Sequence, residues 1–266
     1  MDYHFYHLIP LKISETLVAS DPRSRTSIEG ARWAGFANFN RTVPMGFDDK
    51  ISVMKSIGEV KDVLPGTYKH SNFFRFSDIP VLKPRYTEVR GVKWVTNKET
   101  GKGSLQFPPD FDVLSNIEVE LGTSEFVSYY GCCITNTRQD DEVTLEMRHA
   151  IEDFRYSPNY LQDWILNKNG NNGAGVERHA FSHIDLPKDR DNGIFLLGKF
   201  EDDEETILHL TGFHIPQRHC LFVPGGVIHI NDYLKGTWRT MLSDAAPIDY
   251  VYLEKGGVKF HFQFSI

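Results

Sequence analysis

Four side chains in the last third of the chain have the types and spacing for metal chemistry. His183 and Asp185 are two residues apart, His229 follows 44 residues after Asp185, and Arg239 comes ten residues after His229. On an extended strand, residues two apart point to the same side, so the His183 imidazole and the Asp185 carboxylate can reach one ion. His229 lies in VIHIN, after the tight turn Pro224-Gly225-Gly226, and a nearby antiparallel strand would bring its imidazole to the same ion. Two imidazoles and one carboxylate on one face of an octahedron leave three positions open for substrates. Arg239 lies in TWRTMLSD, across the short loop NDYLKG. It is expected on the next strand, its planar guanidinium placed to hold a carboxylate through two hydrogen bonds.

Positioning these groups needs short strands, and the sequence after residue 175 supplies them. Candidate strands are VERHAFSHI, GIFLLGKF, ETILHLTG, HCLFVP, VIHIN and TWRTMLSD, followed by a terminal hairpin turning at Lys255-Gly256-Gly257. In that hairpin Val258, Phe260, Phe262 and Phe264 alternate with polar residues, so one face is expected on the core. Upstream, residues 68–130 read mostly as strands, including YKHSNFFRF, TEVRGVKWVTN, SNIEVELG and EFVSYYGCCITN. Two helical regions interrupt them. Ile51, Met54 and Ile57 recur at helical spacing after Asp48-Asp49. Val143, Met147, Ala150, Ile151 and Phe154 form one apolar stripe, so 141–168 reads as helical, with a second helix capped by Ser157-Pro158 and burying Leu161, Trp164 and Ile165.

Composition narrows the classes. The chain has 266 residues, enough for one β domain with a substantial core, and no internal repeat or long linker divides it. We therefore expect one domain over 1–266, with 1–175 supporting a metal-binding core at 176–266. A net charge of −7 argues against broad nucleic-acid binding. The three cysteines, Cys132, Cys133 and Cys220, lack metal spacing and read as buried strand residues rather than a disulfide framework. No apolar run approaches the ~20 residues of a membrane span, and no signal peptide is visible, so a cytoplasmic location is expected.

The four-residue constellation resembles the Fe(II)/2-oxoglutarate-dependent oxygenase superfamily. That family carries His-x-Asp, a distal His some tens of residues on, and an Arg or Lys about ten residues later; here these positions are His183-Ile184-Asp185, His229 and Arg239. The strand HCLFVPGGVIH, entering the distal His through a glycine turn, is also similar, and the resemblance covers about residues 176–245. It implies a mainly β fold with flanking helices, built on a double-stranded β-helix (a jelly-roll, cupin-like barrel). It further implies Fe(II) on His183, Asp185 and His229, 2-oxoglutarate on Arg239, and O2. The expected reaction is oxidation, by default hydroxylation, of a C–H bond in a small molecule such as an amino acid or natural-product intermediate, releasing succinate and CO2. The residue two after Arg239 is Met241, where many members have Ser, so a second co-substrate contact is unassigned.

Two rival readings remain. One is a cupin-type metalloenzyme that does not use 2-oxoglutarate: Pro224-x-Gly226-x-x-His229 fits the second cupin motif, but the His-x-His followed by Glu of the first is not found. The other is a metal-free β-sandwich binding module. Among the remaining histidines, His179 shares strand parity with His183 but reads as structural, and His209, His214 and His219 lack partners at ligand spacing. The acidic run 201–205 reads as a solvated hairpin turn, without the ligand pattern of a calcium loop.

Overall fold

The computed structural model describes residues 80–96, 102–136, 149–168, 172–179, 183–242 and 248–265, together with strand backbone at 32–37, 42–44, 69–70 and 142–144. The helix expected around 51–57 and the first strand expected within 1–15 lie outside the described residues. What is described is mainly β, organised in two large sheets.

Eight successive strands position the candidate site: β1 (His149–Tyr156), β2 (Gly175–His179), β3 (His183–Pro187), β4 (Phe195–Phe200), β5 (Ile207–His214), β6 (His219–Val223), β7 (Ile228–Ile230) and β8 (Gly236–Leu242). They are dealt between the sheets. A six-stranded sheet runs Arg32–Ala37, β1, β8, β3, β6, Cys133–Asn136. A ten-stranded sheet contains the run Thr87–Arg90, β5, β4, β7, β2, Ile248–Lys255, Lys102–Phe107, Lys93–Val95. All pairings among the eight strands are antiparallel.

The inner faces meet through aromatic side chains. Phe154 of β1 stands opposite Trp238 of β8, both fully buried, and Trp238 lies 6.0 Å from Phe195 of β4 in the other sheet. Burying side chains of this size contributes roughly 1.5–3 kcal/mol apiece, which offsets part of the entropy cost of ordering two sheets. The Trp238 indole N–H is not stranded in this core; it donates to the carbonyls of Asn192 and Lys235.

Three expectations need correction. Residues 149–156 form strand β1, not a helix, because this segment pairs on both edges, with Arg32–Ala37 and with β8. The later part of the region is helical, as a π-helical turn at Leu161–Ile165 that buries Trp164 and Ile165. Residues 125–130, expected as strand, lie in a short helix Ser124–Val127 running into a 3-10 turn Ser128–Tyr130, started by Thr123, whose hydroxyl accepts the Phe126 N–H. Finally, VERHAFSHI is two strands rather than one. β2 ends at His179, β3 begins at His183, and they belong to different sheets.

Candidate metal centre

The break between β2 and β3 builds the site. β2 brings Glu177 and His179 from the ten-stranded sheet, and β3 brings His183 and Asp185 from the six-stranded sheet facing it. β7 lies beside β2, with Glu177 directly opposite His229. In an antiparallel pair, opposed residues share a face, so Glu177, His179 and His229 all point toward β3. The turn before His229 is fastened to the same place: Gly226, at φ +88°, donates its N–H to the His179 carbonyl at 2.7 Å. Glycine suits that left-handed geometry because it carries no Cβ.

Three imidazoles converge. His179, His183 and His229 are each buried and offer ring nitrogens all within 4.8 Å of one another. Ring centroids are 4.5 Å apart for His183 and His229, 4.9 Å for His179 and His229, and 5.2 Å for His179 and His183. A carboxylate flanks the group on each side. Glu177 Oε1 lies 3.3 Å from His229 Nε2, and Asp185 Oδ2 lies 2.6 Å from His183 Nδ1.

The hydrogen-bond accounting is uneven. His229 Nδ1 lies 3.0 Å from the Val227 carbonyl, and the Thr240 hydroxyl donates to Asp185 Oδ1 at 2.8 Å. Both ring nitrogens of His183, His229 Nε2 and Asp185 Oδ2 are fully buried yet make no hydrogen bond among the described residues. Even the 2.6 Å contact of His183 and Asp185 lacks hydrogen-bond alignment. Buried polar atoms are nearly always hydrogen-bonded, so four orphaned atoms at one point mark a place built for something else. Neutral imidazoles and carboxylates are the donor set of a first-row divalent metal, and the residues fit such an ion.

The electrostatics agree. Burial alone would push the His229 imidazole below its usual range, but the Glu177 contact, the Val227 carbonyl and the Asp185 charge outweigh it and hold it raised. A positive charge is therefore favoured here. Burial, reinforced by the charges of Asp185, Glu177 and Asp232, keeps the Tyr156 phenol protonated far above its ordinary range. Tyr156 shares the inner face of β1 with Phe154, so a neutral hydroxyl faces the same interior.

Arg239 is placed differently from the expectation. Its strand, β8, lies in the six-stranded sheet, whereas His229 lies in the ten-stranded sheet. Across the β3–β8 pair, Asp185 stands opposite Thr240 and Leu186 opposite Arg239. Thr240 and Asp185 hydrogen-bond on the inner face, so Arg239 projects from the outer face with Leu186. It is buried there, but the sheet separates it from the three histidines. His183, Asp185 and His229 are thus brought together, and Arg239 is not among them.

Glu177 and His179 are the residues that sequence reasoning passed over. The signal was the in-phase pair Glu177-x-His179 ahead of His183. His209 is a buried, hydrogen-bonded histidine away from this cluster, with Nδ1 2.6 Å from the Tyr129 hydroxyl and Nε2 3.1 Å from Glu88. The three cysteines are buried and form no disulfide among the described residues. Among the described residues no helix is long and apolar enough to cross a membrane. Compared with known proteins, the chain matches no family model, no curated protein and no solved structure.

Proposed function

We propose that this protein is a metal-dependent oxidoreductase acting on a small molecule, nearest to the cupin-type reading of its sequence. The observation that carries the proposal is the meeting of the buried His179, His183 and His229 imidazoles between two carboxylates, where His183 Nδ1 and Nε2, His229 Nε2 and Asp185 Oδ2 make no hydrogen bond among the described residues. His179, His183, His229 and Glu177 would hold the ion. Three imidazoles and one carboxylate suit Fe(II) among the first-row metals and leave coordination positions open. Bound Fe(II) would supply dioxygen activation and oxidation of the substrate.

The strand order supports the finer fold assignment. β1, β8, β3 and β6 in one sheet, with β2, β7, β4 and β5 in the other, is an order that a double-stranded β-helix would have, and it supports that reading. Glu177, His179 and His183 take the places of the first cupin motif with acid and imidazole exchanged, and Pro224-x-Gly226-x-x-His229 supplies the second. Around the ion, the chain's own groups have separate tasks. The Val227 carbonyl would accept a hydrogen bond from His229 Nδ1–H, leaving Nε2 for the metal. The buried Phe195, 6.2 Å from the His229 ring, and Trp238 behind it would keep bulk water from that side of the site. Tyr156 offers a neutral phenol as a hydrogen-bond donor.

A 2-oxoglutarate-dependent reaction is the second reading, favoured by the same strand order and by the glycine turn before His229. It would need a cation other than Arg239 for the distal carboxylate. Anaerobic titration with Fe(II), then with 2-oxoglutarate, separates the readings. We expect stoichiometric Fe(II) binding and no visible charge-transfer band on adding 2-oxoglutarate. A band together with succinate formation would restore the second reading, and failure to bind any divalent metal would favour a metal-free binding module.

A further inference from the structure

We infer that Asp185 is not a metal ligand but the positioning residue for His183, held by Thr240 and fixing which imidazole nitrogen faces the ion. The inference rests on the metal reading above and divides the two carboxylates between two roles.

The argument is one of atoms and lone pairs. Asp185 Oδ2 and His183 Nδ1 stand 2.6 Å apart. A carboxylate oxygen and a bare ring nitrogen at that distance would repel, so a cation must lie between them, either a proton on Nδ1 or the metal itself. The other nitrogen decides. His183 Nε2 is also buried with no hydrogen-bond partner among the described residues. With the metal at Nδ1, Nε2 would carry a buried N–H with no acceptor, at a cost of about 1–3 kcal/mol. With the proton at Nδ1 and the metal at Nε2, both His183 nitrogens and Asp185 Oδ2 find partners. Once the ring turns into line, Nδ1–H would donate to Asp185 Oδ2, to whose Oδ1 the Thr240 hydroxyl already donates, and Nε2 would take the ion. An ion about 2.0–2.1 Å from Nε2 then lies across the ring from Asp185, out of its reach.

His229 shows the same pattern with a different acceptor. Its Nδ1 side is occupied by the Val227 carbonyl at 3.0 Å, and its orphaned Nε2 is the nitrogen that Glu177 approaches at 3.3 Å. A carboxylate beside the ligating nitrogen can share the ion, whereas one beside the other nitrogen orients the ring. Glu177 is therefore the ligand and Asp185 the anchor. The anchor sits one strand from its own support, since Asp185 and Thr240 are directly opposed across β3 and β8.

The experiment uses the full chain loaded with Zn(II), a diamagnetic probe, and reads the imidazole protons and nitrogens by long-range 15N–1H correlation. In the wild type we expect His183 to carry a slowly exchanging proton on Nδ1 and zinc on Nε2. Asp185→Leu should speed that exchange and weaken zinc roughly 10–100-fold, the usual effect of losing an outer-sphere partner. Asp185→Asn, which keeps shape and an acceptor oxygen, should recover most of the affinity and keep the proton on Nδ1. A proton found on Nε2 of wild-type His183, or a fall in zinc coordination number in Asp185→Asn, would overturn the assignment while leaving the metal site intact. Absence of zinc binding by the folded wild type would remove the metal reading itself.

Discussion

Glu177 and His229 face each other across neighbouring strands, with Oε1 3.3 Å from Nε2. That pairing puts a carboxylate beside the nitrogen that His229 has left over after engaging Val227. Replacing Glu177 by Gln keeps the shape and removes the charge. We expect metal affinity to fall by at least the roughly 10–100-fold typical of outer-sphere losses, with the fold retained. Calorimetric titration with Fe(II) or Zn(II) measures this, and an unchanged affinity would remove Glu177 from the site.

Arg239 gives the opposite expectation. Because it lies on the outer face of β8, Arg239→Ala should leave metal affinity within about twofold of wild type. It should cost folding stability on the order of 1–3 kcal/mol, through the polar groups its removal strands. Parallel metal titrations and denaturant melts check both halves. Selective loss of 2-oxoglutarate binding in this variant would return the arginine to the site.

Protons should compete with the metal at His229. Its imidazole is held above the ordinary value of 6.5, so in the metal-free protein it keeps its proton to higher pH than in the unfolded chain. The Glu177–His229 contact therefore stabilises the metal-free fold most below that ordinary value, and the benefit is lost as pH rises through the folded one. Metal binding must displace the proton, so affinity should fall as pH drops through the folded value. Titration calorimetry in buffers of different ionisation enthalpy, near neutral pH, should detect proton release on binding.

Asp232 carries a second pH signature. Burial pushes its carboxyl up from 3.8 to about 7, an effect eased by the Gly175 N–H, raised further by the Glu177 charge and eased again by the Tyr250 hydroxyl. The folded value exceeds the unfolded one, so the native state holds a proton that the unfolded chain has lost. Stability of the metal-free protein should fall as pH rises from about 4 to about 7, by up to about 1.4 kcal/mol per pH unit, and level off above. Asp232→Asn should flatten that slope, as urea melts at several pH values would show.

The strands from 195 to 242 were legible because each is a short apolar run bounded by turn residues, and the structure places β4 to β8 where those runs fall. β1 was not legible. It carries apolar residues at both parities, Ala150 and Phe154 on one and Ile151 on the other, so its period of two is blurred and an accidental helical stripe stands out. Pairing on both edges then overrides that local pattern. The site was half legible for a similar reason. Had 176–184 been one strand, His179 and His183 would stand about 13 Å apart, too far to share an ion. The chain instead crosses between sheets, and the two rings close to 5.2 Å. Alternation also settles Arg239, but only once the register of β3 against β8 is known: spacing along the chain says ten residues after His229, not which face or which sheet.

The dealing of successive strands between two sheets has a consequence for how the protein comes into being. The three imidazoles span 50 residues of sequence, and no single sheet holds all of them. Neither sheet alone brings the three imidazoles together, so an ion held by all of them would meet its full set of ligands only after the sheets have docked, in a topology of distant contacts. A metal held by these groups would act as a clasp on the finished topology. It would bind the native chain and not its half-assembled precursors, and so would draw the folding equilibrium toward completion by mass action.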